Sequence, residues 1–271
     1  MKKLFLVLIM GVMMFSFMAC QKTVKNPVIR MSTTTSVNDS GLMAYLQPEF
    51  EKVTSYKLEI TSTGTGAAIE KAVKGDADIL LVHSKSQEEE FVNAGFDEVR
   101  LPFMYNYYVI VGPSDDPAGV KNAKTAAEAF KAIFDKGATF ITRGDKSGTN
   151  TKELSIWKAA AVDPEGQAWY QNIGIGMGAA LTAANEQLAY TLSDKATFLA
   201  HDNDLEILLE TADDMINNYS MIAVGTKRFA DTNAEGAKAF IDWMQTDPAR
   251  KLIAEFGVAD YGQPLFYNLD K

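Results

Sequence analysis

The stretch "YKLEITSTGTGAAIEKAVKGDADILLVH", Tyr56 to His83, places a helix-like run, Gly66 to Val73, between two short apolar segments. The same rhythm continues on both sides. "PVIRMS" precedes a helix-like run from Gly41 to Val53, and "DADILLVH" is followed by another from Ser86 to Ala94. Strand and helix alternating at this spacing predict βαβ units and a parallel sheet, hence an α/β class. Further out, "FMYNYYVIVGP" from Phe103 is a long β-rich run, and "NNYSMIAVGT", Asn217 to Thr226, is its counterpart. Between them lies a second α/β set: Ala126 to Phe134, "ATFITR", Thr149 to Ala160, Ala179 to Gln187, "AYTLSD" and "LEILLE". The tail returns to helices, Glu235 to Trp243 and Pro248 to Phe256, the latter with Thr246 as N-cap. Two β-rich crossovers bracketing a middle set predict a discontinuous lobe 1, residues 27–109 and 221–271, and a lobe 2, residues 110–220. No short-period repeat and no low-complexity segment is present.

The N-terminus has a different character. In "MKKLFLVLIMGVMMFSFMAC" two lysines precede an apolar run too short for a bilayer span, which reads as an export signal over residues 1–19. Cys20 then becomes the lipidated first residue of a tether, residues 20–26, and the protein is expected in the periplasm or on the outer face of a membrane, held by lipid. A plain signal peptide or an uncleaved anchor is the alternative. Cys20 is the chain's one cysteine, so no disulfide forms within it. A net charge of −9 speaks against nucleic acid, and two histidines with one cysteine speak against a zinc site; no cofactor is expected.

Three junctions carry candidate chemistry. "MSTTTSVNDSGL" packs hydroxyls where a strand gives way to a helix expected to start near Asp39 or Ser40; Thr34, Thr35 and Ser36 either cap that helix or present donors to an anion at its positive end. In "ITSTGTGAAIEKA", Thr65 sits between Gly64 and Gly66, either a tight packing turn or a close backbone approach to a ligand. It matches neither a P-loop nor a dinucleotide fingerprint. In "FITRGDKSGTNTKELSIW", Arg143 offers a forked cation, with Ser147, Gly148 and Thr149 as further donors; the alternative is a surface arginine paired to Asp145 before a capped helix. A weaker fourth is "AYTLSDKATFL", where Thr191 or Ser193 is expected to start a helix. In open α/β sheets, ligands bind beyond the carboxyl ends of strands, so these junctions can meet in one cleft.

Together "TTTSVNDSGL", "GTGAAIEKAVKGDADILLVH", "MYNYYVIVGPSDDPAG", "RGDKSGTNTKELSIWK" and "AYTLSDKATFLA" resemble the tungstate-binding, Tup-type solute-binding proteins of ABC importers. The resemblance implies a two-lobed periplasmic-binding-protein fold of the second type, holding a tetrahedral oxyanion between lobes. It places ligand contacts at Thr34, Thr35, Ser36, Thr65 with its glycines, Arg143, Ser147 and Thr149. It implies an ABC permease as partner, a monomer and no enzymatic activity. Tyr107 departs from the acidic residue common at that position.

Molybdate, sulfate and phosphate remain alternative ligands. An anion-sensing lipoprotein is another reading, and a phosphate-ester enzyme a third. The enzyme needs an activated nucleophile; His83 ends a strand in "LLVHSKS", but no Ser-His-Asp or Gly-x-Ser-x-Gly pattern accompanies it.

Overall fold

A computed structural model describes residues 25–210 and 214–270. The export segment, residues 1–19, and Cys20 lie outside the described residues. The chain runs β1 (Val28–Thr34), α1 (Thr35–Asp39), α2 (Leu42–Val53), β2 (Lys57–Thr63), α3 (Thr65–Val73), β3 (Ile79–Val82), α4 (Lys85–Asn93) and β4 (Asp97–Gly112). It continues with α5 (Ala126–Lys136), β5 (Phe140–Thr142), α6 (Gly148–Ala159), β6 (Tyr170–Asn172), α7 (Met177–Gln187), β7 (Tyr190–Asp194), α8 (Lys195–Ala200) and β8 (Glu206–Leu209). β9 (Ile216–Val224), α9 (Ala234–Met244), α10 (Asp247–Glu255), α11 (Val258–Tyr261) and β10 (Tyr267–Asn268) complete it.

The strands form two sheets that share β4. The first has the order β2-β1-β3-β9-β4, with β10 on the free edge of β4. β1 runs parallel to β2 and β3, whereas β9 enters antiparallel between β3 and β4. The second has the order β4-β7-β5-β6, with β8 also on β4. β4 pairs with β9 up to Tyr107 and with β7 from Tyr108 onward, so one strand passes from sheet to sheet. Pro102 falls at a register shift in β4, where the ladder tolerates a missing donor. β9 pairs with the first sheet from Ile216, so residues 216–220 join it although the expected boundary at 221 leaves them outside.

Each sheet is buried on both faces, as strands in βαβ units require. One core cluster joins Phe50 of α2 with Phe240 and Trp243 of α9, the two phenyl rings edge-on at 5.1 Å. A smaller one, around Ala68, Phe91 and Ile222, covers the opposite face. The second sheet lies between a cluster centred on Phe130, Phe140 and Trp157 and another around Met177, Leu181 and Val109. α5 shows why it docks: Ala126, Ala129, Phe130 and Ile133 are buried at helical spacing, and Thr125 caps it by accepting from Glu128 N–H. Asp78 pins β1 by accepting from Arg30 N–H (2.7 Å) and Arg30 Nη2 (2.6 Å), and pins the start of α9 through Asn233 N–H (2.9 Å).

The helix expected from Asp39 or Ser40 begins earlier. α1 starts at Thr35 and is closed by Gly41, whose φ of +81° breaks the path before α2 resumes at Leu42. The expected helix start at Thr191 or Ser193 is also corrected: both residues lie within β7, and α8 starts at Lys195 under an Asp194 cap.

Candidate functional site

The three strand-to-helix junctions meet. On the first sheet Thr34 ends β1 and caps α1, its Oγ1 accepting from Val37 N–H at 3.4 Å. Ser36 is fully buried, and its Oγ has no hydrogen-bond partner among the described residues. At the next junction Thr65 opens α3, and its Oγ1 accepts from Gly148 N–H at 3.2 Å, a bond between residues 83 apart in sequence. The turn before α6 approaches so closely that a Cβ on Gly64 would lie 3.2 Å from Asp145 Oδ2, and one on Gly66 would lie 3.6 Å from the Lys146 carbonyl. Gln87 Nε2 ties the same turn by donating to the Lys146 carbonyl at 3.2 Å.

From the second sheet comes Arg143, one residue past β5 and only 2% exposed, so it is not a surface arginine. It is nevertheless paired with Asp145: Nη2 donates to Asp145 Oδ2 (2.6 Å) and to Thr35 Oγ1 (3.1 Å), while Nε donates to the Ile175 carbonyl (3.4 Å). Nη1 is left buried without a partner among the described residues. Ser147 caps α6 by accepting from Asn150 N–H, and Thr149 Oγ1 is buried without a partner. Thr191 is differently employed: its hydroxyl donates to the Ile141 carbonyl at 2.8 Å, and that of Ser193 donates to the Asp194 carbonyl.

Thr34, Thr35, Thr65 and Ser147 each accept a hydrogen bond and keep their own hydroxyl proton to donate. With Ser36 Oγ, Thr149 Oγ1 and Arg143 Nη1, they make a set rich in donors. Leaving a buried polar atom unpaired costs about 1–3 kcal/mol, so such atoms gather where a ligand repays the cost.

Sequence reasoning missed the polar chain behind this set. Asn106 of β4 and Asn217 of β9 are buried and bonded to each other, and they link Asp194 to His83. The signal was present as polar residues interrupting "MYNYYVIV" and "NNYSMIAV". Burial, and then the nearby Arg143 cation, push His83 down to about 4, while burial pushes Asp194 up. A Cβ on Gly148 would lie 2.7 Å from His83 Nδ1, so only glycine lets α6 begin there.

A family model described as "PBP superfamily domain" matches residues 22–248. The tungstate-binding protein TupA of Peptoclostridium acidaminophilum is 43% identical, over 91% of this chain and 87% of that protein. The chain belongs to the PBP superfamily and to its TupA family. The TupA of Campylobacter jejuni is 37% identical over 85% of this chain and 87% of its own. Among solved structures, the tungstate ABC transporter protein of Geobacter sulfurreducens matches with 46% identity and a TM-score of 0.79, covering 84% of this chain and 98% of that one. TupA of Desulfovibrio alaskensis matches with 38% identity and a TM-score of 0.74, covering 90% and 100%. This member of the TupA family therefore has the two-lobed fold of the superfamily, and the shared β4 joins its lobes.

Proposed function

We propose that this protein is the substrate-binding component of an ABC importer and that it captures tungstate as a tetrahedral oxyanion between its lobes. The observation that carries the reading is the junction itself, where Ser36 Oγ, Thr149 Oγ1 and Arg143 Nη1 are buried donors without partners. The TupA relatives bear the name tungstate-binding protein, which favours that ligand over molybdate, sulfate and phosphate. The donors are Thr34, Thr35 and Ser36, then Thr65 with the turn at Gly66, then Arg143, Ser147, Gly148 and Thr149. Thr191 is left out because its proton is already given to a strand carbonyl. A fully ionised tetrahedral anion accepts at every oxygen and is matched by hydroxyls, backbone N–H groups and one guanidinium. The long-range field of an acidic chain is screened at physiological salt beyond about 8–10 Å, whereas hydrogen bonds in a dry cleft keep their strength.

The lobes are residues 27–109 with 221–271, and 110–220, with the second crossing moved back to Ile216, where β9 enters the first sheet. The protein works outside the cytoplasm as a monomer, is tethered by lipid at Cys20, and delivers its ligand to a membrane permease. Titration calorimetry of the mature protein with tungstate, molybdate, sulfate and phosphate tests the reading; no heat with tungstate at any attainable concentration would sink it.

A further inference from the structure

We propose that Asp194 is a positioning residue for the ligand site, fixing the direction of a hydrogen-bond chain that crosses β4 and β9 and holds His83 with its proton on Nδ1. The proposal rests on the oxyanion reading for its functional consequence, but the chain itself stands on donor and acceptor accounting.

Asp194 Oδ1 faces two N–H donors, Thr197 N at 2.9 Å and Asn106 Nδ2 at 3.2 Å, so it accepts from both. Asn106 therefore turns its carbonyl oxygen to Asn217, whose Nδ2 donates to it at 2.9 Å and to Tyr219 OH at 2.8 Å. Both amide hydrogens of Asn217 are thus spent. What it presents to His83 Nδ1, at 2.9 Å, is its oxygen. Only a proton on Nδ1 satisfies that contact, and Tyr108 OH, 3.2 Å from the same nitrogen, is then a second acceptor for it. In neutral imidazole Nε2 carries the lone pair, and here it is buried without a partner. All four residues in the chain are at most 5% exposed, so protein groups rather than solvent set its direction.

Both arms of Asp194 reach the ligand junction. Along one, His83 packs on Gly148, the first residue of α6, whose N–H donates to Thr65. Along the other, the Thr197 hydroxyl lies 2.7 Å from Asp194 Oδ2 and 3.1 Å from the Ser36 carbonyl, tying α8 to α1. One carboxylate thereby orients a residue on each side of the site.

The test is nitrogen NMR on the full mature protein labelled in histidine, with His201→Gln used to assign the two imidazoles, alongside calorimetry with sodium tungstate. In the wild type His83 should show a protonated Nδ1 and a bare Nε2. Asp194→Ala and Asn106→Leu should each let an Nε2–H form appear and weaken tungstate binding tenfold or more, and the double variant should add little to either effect. Asp194→Asn keeps an oxygen toward Asn106 and should retain both the Nδ1–H form and most of the affinity. Should Asp194→Ala fail to fold, the wild-type spectrum and Asn106→Leu decide. A wild-type His83 protonated on Nε2, or an Asn106→Leu protein with unchanged spectrum and affinity, overturns the proposal. Loss of tungstate binding in the wild type itself would instead overturn the ligand assignment, with the ligand-free spectra still judging the chain.

Discussion

Arg143 Nη2 donates to Thr35 Oγ1 at 3.1 Å, so a guanidinium carried by the second sheet is aimed by a hydroxyl carried by the first. The same nitrogen also holds Asp145. A lysine ammonium is a point charge and cannot serve Thr35, Asp145 and an anion in fixed directions at once. Arg143→Lys is expected to cost about 1.5–3 kcal/mol in tungstate affinity, and Arg143→Ala at least as much, measured by calorimetry. Wild-type affinity in both variants would mean that the second-sheet half of the site is misplaced.

Among the described residues Ser36 Oγ has no partner, and Thr35 Oγ1 accepts from Arg143. Ser36→Ala and Thr35→Val should therefore lower tungstate affinity while changing the stability of the ligand-free protein by no more than about 1 kcal/mol, the size of a helix-cap loss. Phosphate, which keeps a proton near neutral pH that needs an acceptor, should bind weakest of the four anions. Tight phosphate binding would show that a carboxylate such as Asp145 faces the ligand.

His83 supplies a pH dependence whose sign is fixed by its burial. Its folded value, about 4, lies below the ordinary 6.5, so the unfolded chain takes up the proton first as pH falls. The stability associated with neutral His83 is complete above about pH 6.5 and is lost toward pH 4, by about 3 kcal/mol. His83→Gln should flatten that part of a denaturation series run between pH 7 and pH 4; an unchanged slope would place the acid sensitivity elsewhere.

Asp78 is 1% exposed and binds both β1 and the start of α9. Asp78→Ala leaves the Arg30 and Asn233 backbone N–H groups without their acceptor, while the Arg30 guanidinium keeps the Gly75 carbonyl, and should cost about 3 kcal/mol in urea unfolding. A loss below about 1 kcal/mol would reduce the pair to a surface ion pair in effect.

The tether gives a cellular prediction. Cys20→Ala should move the exported protein from the membrane to the soluble fraction, since one lipid group at that residue is the proposed anchor. Equal membrane retention of both forms would defeat it.

The alternation of strand and helix was legible because Ile79–Val82 and its neighbours are short apolar runs between helix-length segments. The hydroxyl- and glycine-rich turns that meet between the sheets were legible too, because hydroxyls and glycines at strand ends are local signals. Two local readings failed, one for a local reason and one for a distant one. The helix expected from Asp39 or Ser40 is preceded by a separate short one, α1, which Gly41 in the left-handed region sets apart from α2, and β7 continues to Asp194 because it pairs with Tyr108, far away in sequence. The burial of Arg143 could not be read, since it depends on Thr35 lying 108 residues away. Nor could the bond between Asn106 and Asn217, which joins residues 111 apart.

That separation also governs when the molecule can be completed during synthesis. β9 is an inner strand of the first sheet, wedged between β3 and β4, and its residues are 216–224 of a chain that begins that sheet at Val28. Until the ribosome has passed Val224, β3 and β4 have no strand between them, however well their helices have formed. Non-local pairing of this kind is slow to close. The first sheet is thereby kept unfinished through about four-fifths of the chain's translation, while every strand of the second sheet has already emerged by Leu209.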